Sequence, residues 1–313
     1  MFERKRGSKV FLRSGIVSGV FSLLVLIFLS FGYQNAFASG APAIVDTQWL
    51  ADNMGGKRIV HVGTPAPQAP KAYGMKHVDG AMFLSTKGLL NVLGNGVKPP
   101  DKAKFEALMS KFGISNDTHV VIYGADSGNP FSVNAFWLMK YFGHEKVSYL
   151  DGGIKKWARE KRKTVSGPPP KVDATKYSAT PDPSILASAD YVLQNLNNDK
   201  VLLVDTRAKQ EYKGNPRRNK RGGHIPGAVL LEFRSTNVKK DGTFKSAGDL
   251  KSAYEAKGVK GDKEIITYCQ AGIRAAHTYI ILKHVLGYPN VRNYVGSIAE
   301  WSRLDPKKYP MVK

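Results

Sequence analysis

The stretch Glu264-Ile265-Ile266-Thr267-Tyr268-Cys269-Gln270-Ala271-Gly272-Ile273-Arg274 decides the fold. Apart from Glu264, its first residues are β-branched or aromatic, which suits a buried parallel strand. Such a strand delivers Cys269 to its carboxyl end. Beyond the loop, Ala275, Ala276, Tyr279, Ile280 and Leu282 recur near helical spacing, so a helix is expected to run to about Leu286, where Gly287 and Pro289 stop it. A strand, a loop and a helix N-terminus make an anion cradle, because loop amides and helix end both present partial positive charge. With Arg274 five positions on, that field favours a thiolate and makes Cys269 nucleophilic. The competing reading is a cysteine filling a core gap. Such a cysteine has no need of Gly272 and Arg274 behind it.

Cys269 is also the only cysteine among 313 residues. At the N-terminus, Arg4, Lys5, Arg6, Lys9 and Arg13 precede an apolar segment from Ile16 to Phe31 and then Ala36-Phe37-Ala38. That order is the pattern of an export signal, with cleavage expected after Ala38 and the remainder exported to the periplasm. The alternative is an N-terminal membrane anchor that leaves the chain facing outward, with membrane association through this segment. The unbroken apolar run Leu23 to Leu29 is far shorter than the roughly 20 residues that span a bilayer. An exported chain without an internal disulfide leaves its thiol for intermolecular pairing or for reactivity.

Lys and Arg outnumber Asp and Glu by 47 to 25, a formal charge of +22. Nucleic-acid binding is not expected: clusters such as Arg159 to Lys163 and Arg217 to Arg221 lack interleaved aromatic residues and read as solvated faces. Attraction for small anions or for an anionic membrane surface is the economical inference. The single cysteine and dispersed histidines show no metal-ligand spacing, and no cofactor is expected.

The chain says the same thing twice. Phe105 through Tyr123 resembles Leu250 through Tyr268, His77 to Ala81 matches His224 to Ala228, and Gly152 to Trp157 matches Gly296 to Trp301, at offsets of 144 to 147 residues. Gly167-Pro168-Pro169-Pro170 and Pro181-Asp182-Pro183 separate the copies with an extended, stiff link. Apolar runs at Arg58 to Val62, Val120 to Tyr123, Lys146 to Leu150, Val201 to Asp205, Glu264 to Tyr268 and Val291 to Val295 alternate with amphipathic stretches. This is the signature of an α/β fold, with parallel sheets flanked by helices and ligands at the carboxyl ends of strands.

The tandem repeat, Asp205-Thr206-Arg207, Gly223 to Ala228, the loop Cys269 to Arg274 and Trp301 together resemble the rhodanese family of sulfurtransferases, across almost all of the chain beyond residue 38. The resemblance implies an inactive rhodanese-like domain at 41–165, a proline-rich linker at 166–184 and a catalytic domain at 185–313. It implies that Cys269 takes a sulfane sulfur from thiosulfate or 3-mercaptopyruvate and passes it to cyanide or a thiol. Gln270, Ala271, Gly272 and Ile273 would hold the anionic donor, and Arg274 favours thiosulfate because a full positive charge suits a dianion. Arg207 would face the pocket and pair with the donor; spacing alone allows it instead to pair with Glu211. His224 is expected to be structural, His277 to lie on the helix surface, and Trp157 and Trp301 to be core residues. Gly124 stands where Cys269 stands in the second copy, and Val62-Gly63-Thr64-Pro65 offers no counterpart of Arg207. A cysteine-based phosphatase is disfavoured, since its loop holds one more residue between cysteine and arginine. A non-enzymatic exported sulfur carrier stays open.

Overall fold

The computed structural model describes residues 41–94, 100–215 and 219–313. The expected signal segment and Arg217 and Arg218 therefore lie outside the described residues. Two five-stranded sheets, every pairing parallel, carry the two copies. The first holds β1 (Ile44–Val45), β2 (Lys57–Val62), β3 (Met82–Leu84), β4 (His119–Tyr123) and β5 (Val147–Leu150) in the order β1-β5-β4-β2-β3. The second holds β6 (Leu186–Ala187), β7 (Val201–Asp205), β8 (Val229–Leu230), β9 (Glu264–Tyr268) and β10 (Val291–Tyr294) in the matching order β6-β10-β9-β7-β8. The long strands fall on the apolar runs of the sequence. Burial on both faces explains why those runs are continuous rather than alternating.

Matching hydrogen bonds fix the duplication. The Val78 amide donates to the Tyr123 hydroxyl at 3.1 Å, and the Ile225 amide to that of Tyr268 at 3.3 Å. His77 stacks on Tyr73 and donates from Nδ1 to the Tyr73 carbonyl; His224 does the same with Tyr212. His224 is thus a structural residue. Trp157 and Trp301 are buried, and each indole N–H donates to a carbonyl, of Lys163 and Pro310 respectively.

The link is pinned as well as extended. Between Lys161 and Asp182 it forms no helix or strand, yet the Thr180 amide donates to Phe142 and that of Asp182 to Tyr141. The halves then meet through helices Pro130–Tyr141 and Ile273–Ile280, which pack on each other and share one apolar cluster including Val133, Phe136, Ala276 and Ile280. Helix Ile273–Ile280 continues as a π turn, Ile281–Val285, and so ends where the sequence places its stop.

That packing corrects the expectation for His277. It is fully buried between the halves rather than on the helix surface: Nε2–H donates to the Ser127 carbonyl at 2.7 Å, and Nδ1 accepts from Asn237 Nδ2 at 3.2 Å. The helix has no free face at this point, because the first half covers it. Burial pushes the His277 imidazole down to about 4, so it is neutral in the folded protein at pH 7.

The unfolded chain binds this proton at about pH 6.5 and the folded chain only near 4, so stability falls as pH drops through that window. His277 alone accounts for about 3 kcal/mol of the loss when complete. Urea unfolding between pH 7 and pH 4 should show a shallower pH dependence for His277→Gln than for the wild type. Identical slopes would contradict this role.

Candidate active site

Cys269 follows the middle strand of the second sheet and is 1% exposed. The next residues turn back through Gly272, whose φ of +73° lies in the left-handed region, and enter helix Ile273–Ile280. A Cβ at Gly272 would also stand 2.7 Å from the Val295 Cα, so both conformation and space demand glycine.

One hydroxyl shapes the loop. Ser297 Oγ accepts from the Cys269 and Gly272 amides, both at 3.1 Å, and donates to the Tyr294 carbonyl at 2.6 Å. Ser297 itself sits at a φ of +50°, a costly conformation for a residue with a side chain. The Ile298 and Ala299 amides donate to the Cys269 and Gln270 carbonyls, and Asn293 Nδ2 to that of Gly272. With the carbonyls drawn toward β10 and its following turn, the amides of Gln270, Ala271, Ile273 and Arg274 make no hydrogen bond among the described residues. These amides and the helix N-terminus supply the partial positive charge expected of the cradle.

The side chains are less free than the sequence suggests. Gln270 forms a reciprocal amide pair with Asn219, at 2.6 and 3.1 Å. Ala271 and Ile273 are half-buried. Arg274 makes a bidentate ion pair with Glu211, at 2.7 and 2.9 Å. Burial opposes the Arg274 charge, but the Glu211 carboxylate and the Cys269 sulfur more than offset this and hold the guanidinium above its usual range. Arg274 thus lies beside the sulfur, with its charge shared between Glu211 and whatever occupies the cradle.

Arg207 requires correction. It is 2% exposed and does not present a free guanidinium: Nε and Nη2 reach the Asp205 carboxylate at 3.0 and 2.6 Å, and Nη2 also donates to the Gly223 carbonyl at 2.8 Å. Asp205 is wholly buried at the end of β7, and a buried carboxylate needs a hydrogen-bonded counter-charge. Nor does Arg207 pair with Glu211, which is taken by Arg274. Arg221, read within a solvated run, is also a clamp, donating to the carbonyls of Trp301, Ser302 and Tyr309.

Ser297, Asn219 and Asn293 escape a reading from the sequence as site residues, and Glu211 appears there only as a partner for Arg207. Ser297 left a trace as the polar residue standing where the first copy has Gly153. In that copy Gly124 replaces Cys269, and a Cβ there would fall 2.6 Å from Ser132 Oγ and 2.7 Å from Asn129 Nδ2. The first half has no room for a thiol at this position.

Comparison with known proteins agrees with the geometry. A family model described as the rhodanese-like domain matches residues 46–160 and 188–304. The chain is 41% identical over 212 residues to the "Sulfur carrier protein TtuD" of Thermus thermophilus, covering 64% of this chain and 74% of that protein. It is 36% identical over 272 residues to the "Putative thiosulfate sulfurtransferase 1" of Mycobacterium bovis, covering 83% of this chain and 95% of that one. Among solved structures, YnjE superposes with a TM-score of 0.77 at 26% identity, covering 86% of this chain and 68% of the other. Wild-type EanB gives 0.76 at 22% identity over 86% and 68%, a likeness of fold alone.

Replacing Ser297 by alanine leaves two buried amides without an acceptor and keeps the strained backbone. Ser297→Ala should lower the unfolding free energy by about 1–3 kcal/mol, read from denaturant midpoints. Wild-type stability in this variant would remove the hydroxyl from its place as the loop's anchor.

Proposed function

Because the chain belongs to the rhodanese-like family, we propose that it is a sulfurtransferase that moves a sulfane sulfur from thiosulfate to a thiophilic acceptor through a persulfide on Cys269. The observation that carries this is the lone cysteine at the end of the middle strand, opening a loop whose amides at Gln270, Ala271, Ile273 and Arg274 have no acceptor among the described residues. In the first step the Cys269 thiolate attacks the outer sulfur of thiosulfate, the S–S bond of the donor breaks with its electron pair leaving on sulfite, and an anionic persulfide remains. In the second, cyanide or a thiolate attacks the terminal sulfur, leaving as thiocyanate or a new persulfide and restoring the Cys269 thiolate. Negative charge sits on one sulfur or the next throughout. Fixed amide dipoles and the Arg274 guanidinium suit such a charge because they need no reorganisation as it moves.

Thiosulfate as donor is supported by the names of relatives such as that of Mycobacterium bovis. Glu211 already balances the charge of Arg274, and 3-mercaptopyruvate is the competing donor. A second reading, a sulfur carrier loaded and unloaded by protein partners, is favoured by the relative of that name and by the burial of Cys269. With Cys269 only 1% exposed, a partner that docks on the loop and widens it would bring an acceptor to the thiol. We further propose that residues 1–38 direct export to the periplasm or hold the chain at the outer face of a membrane, on the strength of the basic, apolar and Ala36-Phe37-Ala38 order. N-terminal sequencing of the protein recovered from the periplasm should begin at Ser39. Retention of the full chain in the membrane fraction would select the anchor.

Incubation with thiosulfate should add one sulfur atom to the intact mass of the wild type and nothing to that of Cys269→Ser, and thiocyanate production should be lost in that variant. Multiple turnovers faster with thiosulfate than with 3-mercaptopyruvate support the enzyme as stated. The reverse preference changes the donor, and a stable persulfide with no turnover selects the carrier.

A further inference from the structure

The first half keeps an open pocket where the second half is filled. A cavity of about 430 Å³ lies at the carboxyl end of β2, lined by His61, Gly63, Ala72, Lys76, Ile154 and Lys155 among others. Strand register identifies its counterpart. His61 pairs with Tyr123 between β2 and β4 as Asp205 pairs with Tyr268 between β7 and β9, so His61 stands for Asp205 and Gly63 for Arg207. In the second half that place is taken by the Asp205–Arg207 ion pair. The link between the stacked aromatic and histidine differs too: Tyr212 and His224 are 12 residues apart, Tyr73 and His77 only four. Within the longer link Asn219 bonds Gln270, whereas the matching Ala125 forms part of the pocket wall.

The chemistry of the lining is specific. Val62, Ala69, Ala72, Ile154 and Ala158 make it mostly apolar. His61 is 7% exposed among the rings of Tyr73, Phe83 and Tyr123, and its Nδ1 is buried without a hydrogen-bond partner among the described residues. Burial, reinforced by His77, pushes the His61 imidazole down to about 4, so at pH 7 it is a neutral hydrogen-bonding group. An unsatisfied polar atom at such depth calls for a partner. The positive charge is at the rim, where Lys155 shares its charge with Asp126 at 2.8 Å and Lys76, exposed, makes no ion pair among the described residues. The size is that of pockets for small organic ligands.

We propose that this pocket is a non-catalytic binding site for a small, largely apolar carboxylate, its hydrocarbon body against Val62, Ala72 and Ile154, its carboxylate at Lys76 and a polar edge reaching His61. The site shares no residue with the Cys269 loop. Its failure would therefore leave the sulfur-transfer reading untouched.

Naphthalene-2-carboxylate serves as the probe, with naphthalene-2-carboxamide as its uncharged counterpart. Calorimetry on the purified chain should give saturable binding of the carboxylate at one site, with the carboxamide about tenfold weaker. The carboxylate should also shift the His61 imidazole nitrogen resonances. Lys76→Glu, on the exposed rim and so without risk to folding, should weaken the carboxylate about tenfold and leave the carboxamide unchanged, while Ala158→Phe, which fills the pocket, should abolish both. No saturable binding, equal affinity for both probes, or carboxylate binding indifferent to Lys76→Glu would overturn the proposal.

Discussion

The constraint on which the second half depends is the need to hold a short loop open at the end of a buried strand. A loop of this size beside a helix N-terminus would ordinarily satisfy its own amides by tightening or by admitting side chains. Here the Ser297 hydroxyl draws off the Cys269 and Gly272 amides, and backbone carbonyls of the loop are engaged by Ile298, Ala299 and Asn293. The remaining amides are left to a ligand. Three strained or restricted positions, Gly272, Val295 against it and Ser297 at positive φ, maintain this arrangement. Local strain of this kind persists only where surrounding structure over-determines it. The surrounding structure is the sheet pairing of β9 with β10, which fixes both ends of the turn.

Duplication shows which parts of the scaffold are architecture and which are chemistry. Both copies keep the strand order, the tyrosine hydroxyl that accepts an amide, the stacked histidine and the buried tryptophan. They differ at the strand ends: Gly124 for Cys269, Gly63 for Arg207, His61 for Asp205. In the first half Asn129 and Ser132 crowd the position that matches Cys269, so the absence of a thiol there is built into the packing rather than confined to one residue. The same half contributes the helix that covers Ile273–Ile280, and with it the burial of His277.

The fold was legible because its signals are local and repeated: apolar runs of strand length, Gly287 and Pro289 after a helical period, and blocks recurring at one offset. The short edge strands at Ile44–Val45, Met82–Leu84, Leu186–Ala187 and Val229–Leu230 were not, since two or three residues carry no periodicity. At the site, Cys269 and its loop were legible as a contiguous string. Partner choice was not. Whether Glu211 meets Arg207 or Arg274 depends on how the segment after β7 folds across the loop: spacing favours Arg207, four residues away, and the fold brings Arg274 instead. His277 failed for a related reason, because helical periodicity gives one buried face and cannot reveal that a second domain covers the other.

The arginines bear on the meaning of the charge of +22. Arg207, Arg221 and Arg274 each use the guanidinium fork against several fixed oxygens, of Asp205 and Gly223, of Trp301, Ser302 and Tyr309, and of Glu211. A planar group with donors in a fixed geometry suits that work better than an ammonium. These charges hold the frame of the second half, and the loop's partial positive charge therefore rests first on oriented amides and only then on Arg274. Amide dipoles are fixed by the backbone, so the cradle's field is set by the same Gly272 turn and Ser297 hydroxyl that set its shape. Shape and field cannot be altered separately here, which is why a small polar residue on the neighbouring strand's turn matters as much to the cysteine as the arginine beside it.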